Sequence, residues 1–148
     1  MDIFFKFVFK KLKVCRKGTK LDFLDDMHKD IMDNFRDVMR REKVLHLDRI
    51  CELTINRPAK RFYVSGLQAY KIVSQLRKGN NTCLNSMPDY RREMFFEILK
   101  RTNDYMLRHD FASKPLIFVV SHVVASQAPR FYISAETVRR LYYLRRKK

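Results

Sequence analysis

Arg61-Phe62-Tyr63-Val64-Ser65 recurs as Arg130-Phe131-Tyr132-Ile133-Ser134, an offset of 69 residues (61 to 130). The likeness extends beyond the phrase. Ala59 matches Ala128 upstream, and downstream Ala69, Ile72 and Val73 match Val138, Leu141 and Tyr142, with Lys71 matching Arg140. Matching flanks in matching helical phase mark a duplicated unit rather than a chance echo.

The segments before each phrase are parallel in kind. Thr19-x-x-Asp22 and Ser86-x-x-Asp89 both have the form of a capped helix start, in which a side-chain oxygen accepts from the free N–H groups of the first turn. The first helix is predicted from about Leu21 to Glu42, with Leu24, Met27, Ile31, Phe35 and Val38 on one face. The second is predicted from about Pro88 to Arg108, with Phe95, Ile98, Leu99, Tyr105 and Met106 inward. A shorter apolar segment follows each, His46 to Asn56 and Lys114 to Ser126, the latter with Ser113 as its cap and Pro115 in its first turn. Each then breaks at a proline, Pro58 or Pro129. Phe62-Tyr63-Val64 and Phe131-Tyr132-Ile133 suit short strands, being aromatic and β-branched. Ser65, with Gln68 at the capping-box spacing, opens a last helix that Arg77-Lys78-Gly79 closes.

The expected fold is therefore mainly α with minor β. Two tandem helix-helix-strand-helix units, about 19–79 and 86–148, form one domain over residues 19–148, preceded by a basic apolar arm at 1–18. Two single strands are not stable apart. They are expected to pair with each other about a pseudo-two-fold axis.

Composition supports a packed helical protein. Of 148 residues, 46% are hydrophobic, enough for a core, and three glycines and four prolines are too few to punctuate a many-turned β fold. The three cysteines are scattered, which suggests no disulfide framework and a reducing compartment. Lys6 and Lys10 interrupt the apolar run at the N-terminus and no small-residue cleavage site follows, so it reads poorly as a signal peptide. Pro115 to Ala125 is too short to span a bilayer. A cytoplasmic location is expected, or a phage particle if the protein serves assembly.

The net charge is +16, a surplus that attracts polyanions over long range. Its distribution follows the repeat. Residues 57–87 carry six basic side chains and no acidic one, and residues 115–148 carry seven basic and one acidic, whereas residues 21–56 carry nine acidic and six basic. The expected nucleic-acid surface is Arg61, Lys71, Arg77 and Lys78 from the first unit, with Arg130, Arg139, Arg140, Arg145 and Arg146 from the second. The aromatics of the repeated phrase would stack on unpaired bases or, the stronger reading, fill the core. Asp22, Asp26, Asp30, Asp33 and Asp37 recur at steps of three and four as one acidic stripe, read first as a solvated face and second as a contact for a basic partner or another copy of the chain. In the N-terminal arm, Ile3, Phe4, Phe7, Val8, Leu12 and Cys15 can share a helical face, although Phe5-Lys6-Phe7 alternates equally well as a strand. An arm packed on the core or on a partner is preferred to one on a membrane surface.

Ile133-Ser-Ala-Glu-Thr-Val-Arg-Arg-Leu141 resembles the start of the recognition helix in bacterial helix-turn-helix repressors. That resemblance implies that Ser134, Thr137, Arg139 and Arg140 approach DNA. The gap from Ala125 to Ser134 is longer than the tight turn of that motif. The Pro-Ala-x-Arg-Phe-Tyr-Val-Ser phrase and its second copy resemble short, basic, uncharacterised proteins of gut-bacterial phages and mobile elements, a likeness that covers most of the chain after about residue 40 and implies a setting but no activity.

No catalytic residue, metal site or cofactor is expected. The isolated glycines build no phosphate loop, no Gly-x-Ser-x-Gly elbow occurs, and His28, His46, His109 and His122 have no zinc spacing. His46 near Asp48 and His109 beside Asp110 are acid–base pairs only in principle, and His122 reads as a core or boundary histidine. The expected function is non-enzymatic binding of nucleic acid, DNA before RNA, by an accessory or regulatory protein. The alternative is a structural or assembly protein, such as a phage virion component, acting through protein contacts.

Overall fold

The structure, a computed structural model, describes residues 23–43, 46–108 and 112–146. The arm at 1–18, the Thr19-x-x-Asp22 cap, Asp22 itself and His109 lie outside the described residues. The fold is mainly helical. Helix α1 covers 23–41 and α2 is Leu47–Ile55; α3 is Gly66–Arg77, α4 is Asp89–Met106, α5 is Leu116–Ala125 and α6 is Ala135–Arg146, with a 3-10 turn at Thr82–Leu84.

The helical periods select the core as their spacing predicts. Ile31, Phe35 and Val38 of α1 and Phe95 and Ile98 of α4 are buried, whereas Met27, Leu99, Tyr105 and Met106 of the same stripes are only half-buried and Leu24 is 41% exposed. Helix α5 is rich in β-branched residues, which by local preference favour a strand. It is apolar nearly all round, and packing against α3 and α4 overrides that preference: Ile117, Val119, Val120, Val123 and Val124 are all buried. Helix α3 also packs on α4, and α6 packs on α2. A single cluster of buried side chains, from Ile31 to Leu141, runs through both halves of the chain.

Two expected caps are corrected. The residue flanking α4 is Pro88, with no side-chain cap from Ser86, and α5 starts behind Pro115 without a bond from Ser113. Ser65 does cap α3, accepting from the Gln68 N–H at 3.1 Å. At the other end Gly79 N–H donates to Leu76 O at 3.0 Å and Asn80 N–H to Gln75 O at 3.0 Å. This Schellman closure holds Gly79 at φ +84°, a left-handed conformation that suits glycine.

The paired strands are also corrected. Neither 62–64 nor 131–133 is a strand, and among the described residues there is no sheet. One antiparallel bridge joins Ala59 to Ala128, each N–H donating to the other's carbonyl at 3.0 Å. The ladder stops there because the following donors are engaged elsewhere. Lys60 N–H goes to the Asp30 carboxylate at 2.9 Å, Phe62 N–H to Val124 O at 3.0 Å, and Val64 N–H turns back to Phe62 O at 2.9 Å. Phe131 N–H goes to Ile55 O at 2.9 Å.

These bonds share one register. Ala59 and Ala128, Phe62 and Phe131, and Ile55 and Val124 are each 69 residues apart, so the bridge joins a pair at that offset and the two flanking bonds are reciprocal under it. The rings follow: Phe62 stacks on Tyr132 at 5.9 Å between centroids and Phe131 on Tyr63 at 6.4 Å. Helices α3 and α6 have 12 residues each and begin at equivalent positions, 66 and 135.

Candidate nucleic-acid interface

The amphipathic split of the last helix in each half decides what reaches the surface. On α3, Ala69, Ile72 and Val73 are buried, leaving Gln68, Lys71 and Gln75, with Lys78 at the C-cap, exposed as a polar stripe at steps of three and four. On α6, Val138 and Leu141 are buried, and Arg139, Arg140, Leu144 and Arg145 are exposed. Lys71 and Arg140 occupy equivalent positions on the two helices, both in solvent.

The other nominated residues divide by environment. Arg77 is exposed and donates to Asn103 Oδ1 at 2.8 Å. Arg139 reaches the Asp48 carboxylate at 3.4 Å, and Arg140 reaches Glu136 at 3.6 Å. Both are solvent-exposed pairs of small net worth, which leaves the guanidinium groups open to exchange for another anion. The backbone of Arg146 ends α6, and its side chain lies outside the described residues.

Arg61 and Arg130 are placed differently from the rest. Each is half-buried against aromatic rings. The Arg61 guanidinium lies 4.0 Å from the Phe23 ring centroid and its Nε donates to Phe62 O at 3.2 Å; burial lowers its pKa. Arg130 lies over Tyr132 at 5.8 Å and reaches Glu93 at 3.6 Å. Both brace the aromatic centre rather than face solvent. Ser134 and Thr137 are engaged in capping α6: the Thr137 N–H donates to Ser134 Oγ at 3.3 Å, and their hydroxyls bond at 3.0 Å.

The aromatics of the repeated phrase are withdrawn from ligands. Phe62 is 1% and Phe131 2% exposed. Burial raises the hydroxyl pKa of both tyrosines, Tyr132 to about 12 with help from Glu97 nearby. Arg101 closes the centre from α4, lying 5.1 Å from the Phe62 ring centroid and donating to Gln127 O at 2.6 Å. A base-stacking platform needs exposed ring faces, and these rings offer none at Phe62 and Phe131.

The acidic stripe is broken up. Asp30 is 2% exposed and points inward, so its place on a solvated or partner-facing stripe is corrected. Asp37 is half-buried and holds Arg57 at 2.5 Å and Arg41 at 3.3 Å; those bonds, Arg57 first, keep its carboxyl below the usual range. Asp26 and Asp33 remain exposed.

Of the histidines, His28 has its pKa lowered by burial and by Arg145, and His122 is exposed with its ring against Tyr105 at 5.0 Å. The described residues hold no cluster of three or more His, Cys, Asp or Glu able to bind a metal ion, and no helix long and apolar enough to cross a membrane.

Gln68 and Gln75 were not nominated as contacts by sequence, although their spacing with Lys71 and Lys78 was readable once α3 was bounded. Comparison of the chain with protein-family models, curated proteins and solved structures finds no match.

Proposed function

We propose that the chain is two copies of one helical unit folded about a pseudo-two-fold axis, and that it binds duplex DNA without catalysis through the exposed faces of α3 and α6, as an accessory or regulatory protein. The observation that carries this reading is the placement of Lys71 and Arg140 at equivalent, exposed positions on the two last helices, in a chain of net charge +16. Lys78, Arg139 and Arg145 extend the same basic faces. Cations on a regular helix neutralise successive phosphates and release counterions. The withdrawal of Phe62 and Phe131 into the core favours a duplex over a single strand, because little is left to stack on unpaired bases. The bonds that recur at the repeat offset support the two-copy reading.

The test is fluorescence anisotropy with a labelled duplex and a single strand of equal length across a salt series. The duplex is expected to bind more tightly, with affinity falling steeply as salt rises. Replacing Arg139 and Arg140 together by alanine should weaken binding and flatten the salt slope. Duplex affinity indifferent to salt and to that double change would refute the reading.

A second reading, assembly through protein contacts, is favoured by exposed apolar side chains, notably Phe96 at 50% and Leu107 at 86%. It predicts a stable oligomer by light scattering, and a monomer at high concentration with no partner recovered by pulldown would count against it.

A further inference from the structure

The reciprocal bonds constrain more than the fold. A two-fold rotation leaves height along its axis unchanged. Equivalent residues therefore stand at one height, one on each side of the axis, and a duplex whose own two-fold axis coincides with it meets both or neither. Lys71 of α3 and Arg140 of α6 are such equivalents, related by the same offset that pairs Ala59 with Ala128 and Phe62 with Phe131. Their surroundings match in kind: each stands on a 12-residue helix whose first turn is capped by serine, Ser65 or Ser134.

A B-form duplex has two-fold axes of its own, perpendicular to its length. When a protein axis coincides with one of them, its two helices meet the two half-sites in the same geometry, and the bases they meet are alike only in an inverted repeat. Lys and Arg share a preferred base, since both donate to O6 and N7 of guanine in the major groove. The flanking positions of the two stripes differ. Gln68 of α3 is replaced by Thr137 on α6, and Gln75 by Leu144. The Gln amide suits adenine, whereas Leu144 offers only apolar contact, as to a thymine methyl. The Arg140–Glu136 pair, exposed on both sides, is too weak to hold the guanidinium back.

We propose, resting on the duplex-binding reading above, that the target is an imperfect inverted repeat in duplex DNA, with guanines at dyad-related positions read by Lys71 in one half-site and Arg140 in the other. The half-sites share that guanine and diverge beside it.

The experiment is selection from a pool of random duplexes with the full-length protein, followed by anisotropy titration of the selected duplex. An inverted repeat with one guanine per half-site is expected. Turning one half-site around to make a direct repeat should cost about tenfold or more in affinity, and Lys71→Ala and Arg140→Ala should each cost about tenfold and relax the base preference in one half-site only. Both side chains are exposed, so the variants should keep the far-ultraviolet circular dichroism of the parent, and the direct-repeat comparison uses the unaltered protein in any case. Duplexes that bind but yield a single asymmetric motif, a direct repeat or no motif would overturn the symmetric target and leave duplex binding standing. Failure to retain any duplex at low salt would overturn the duplex reading itself, and the symmetric target with it.

Discussion

Asp30 is one of five aspartates spaced at three and four along the first helical pattern, and by that spacing alone it belongs with its neighbours in solvent. Its carboxylate instead accepts from the Tyr63 hydroxyl at 2.7 Å, the Lys60 N–H at 2.9 Å and the Asn34 amide at 3.0 Å. A buried charge is tolerated when its lone pairs are satisfied in this way. The donors at 60 and 63 come from irregular backbone distant in sequence, so no periodicity in α1 could have announced them. The result joins the turn after Pro58 to α1 and engages the Lys60 N–H, next to the Ala59–Ala128 bridge, with a side chain instead of a neighbouring strand. Asp30→Ala should cost about 3 kcal/mol, because hydrogen bonds to a charged acceptor are lost and buried donors stay unpaired. Tyr63→Phe should cost about 1.5 kcal/mol. In urea denaturation the double variant should fall short of the sum by roughly the worth of the shared bond, about 1.5 kcal/mol. Additive losses would mean that Tyr63 and Asp30 do not interact.

Whole elements were more legible than single contacts, and the exceptions share a cause. The ends of α3 follow from local chemistry: serine before the first turn, and glycine where the chain must turn left-handed after Lys78. The starts of α4 and α5 were misread because Ser86 and Ser113 have the right chemistry at nearly the right place, while Pro88 and Pro115 fix the extended backbone of the flanking residue without a side-chain bond. The expected strands failed in another way. Phe62-Tyr63-Val64 has strand-like residues, yet strand propensity records packing on a half-buried surface, and these side chains satisfy that demand in an aromatic stack with no ladder. Helix-end chemistry should therefore be measurable where it is real and absent where it is not. Ser65→Ala and Gly79→Ala should each cost about 1 kcal/mol, whereas Ser86→Ala and Ser113→Ala should cost no more than about 0.5 kcal/mol. Thermal denaturation of the four variants distinguishes them, and a loss at Ser86 as large as that at Ser65 would mean that α4 is capped by its side chain after all.

For the molecule as a whole, the informative signal was the recurrence of Arg-Phe-Tyr at an offset of 69 residues, because the central bridge joins two residues, Ala59 and Ala128, at that same offset. The charge surplus was equally plain in the sequence, but which cations stay in solvent was not: Arg61 and Arg130 belong to the repeated phrase and are drawn onto aromatic rings, Phe23 and Tyr132 respectively, while Lys71 and Arg140 are left exposed. The same interlock sets how the chain should unfold. Helix α3 comes from the first half and packs on α4 and α5, and α6 from the second half packs on α2. Each half therefore covers apolar surface that the other would expose on leaving, and neither retains a complete core without its partner. Unfolding should be one cooperative transition. Ile31→Val in the first half and Ile98→Val in the second, both at fully buried positions, should each lower stability by about 1 kcal/mol. Native-state hydrogen exchange gives the decisive comparison. The slowest amides open only through global unfolding, so in a single unit Ile31→Val should speed the slowest amides of α3 and α5 by the same factor, about fivefold for that loss. Acceleration confined to α3 would mean that the halves open separately, and the reciprocal bonds at the centre would then be a contact between two domains rather than the middle of one.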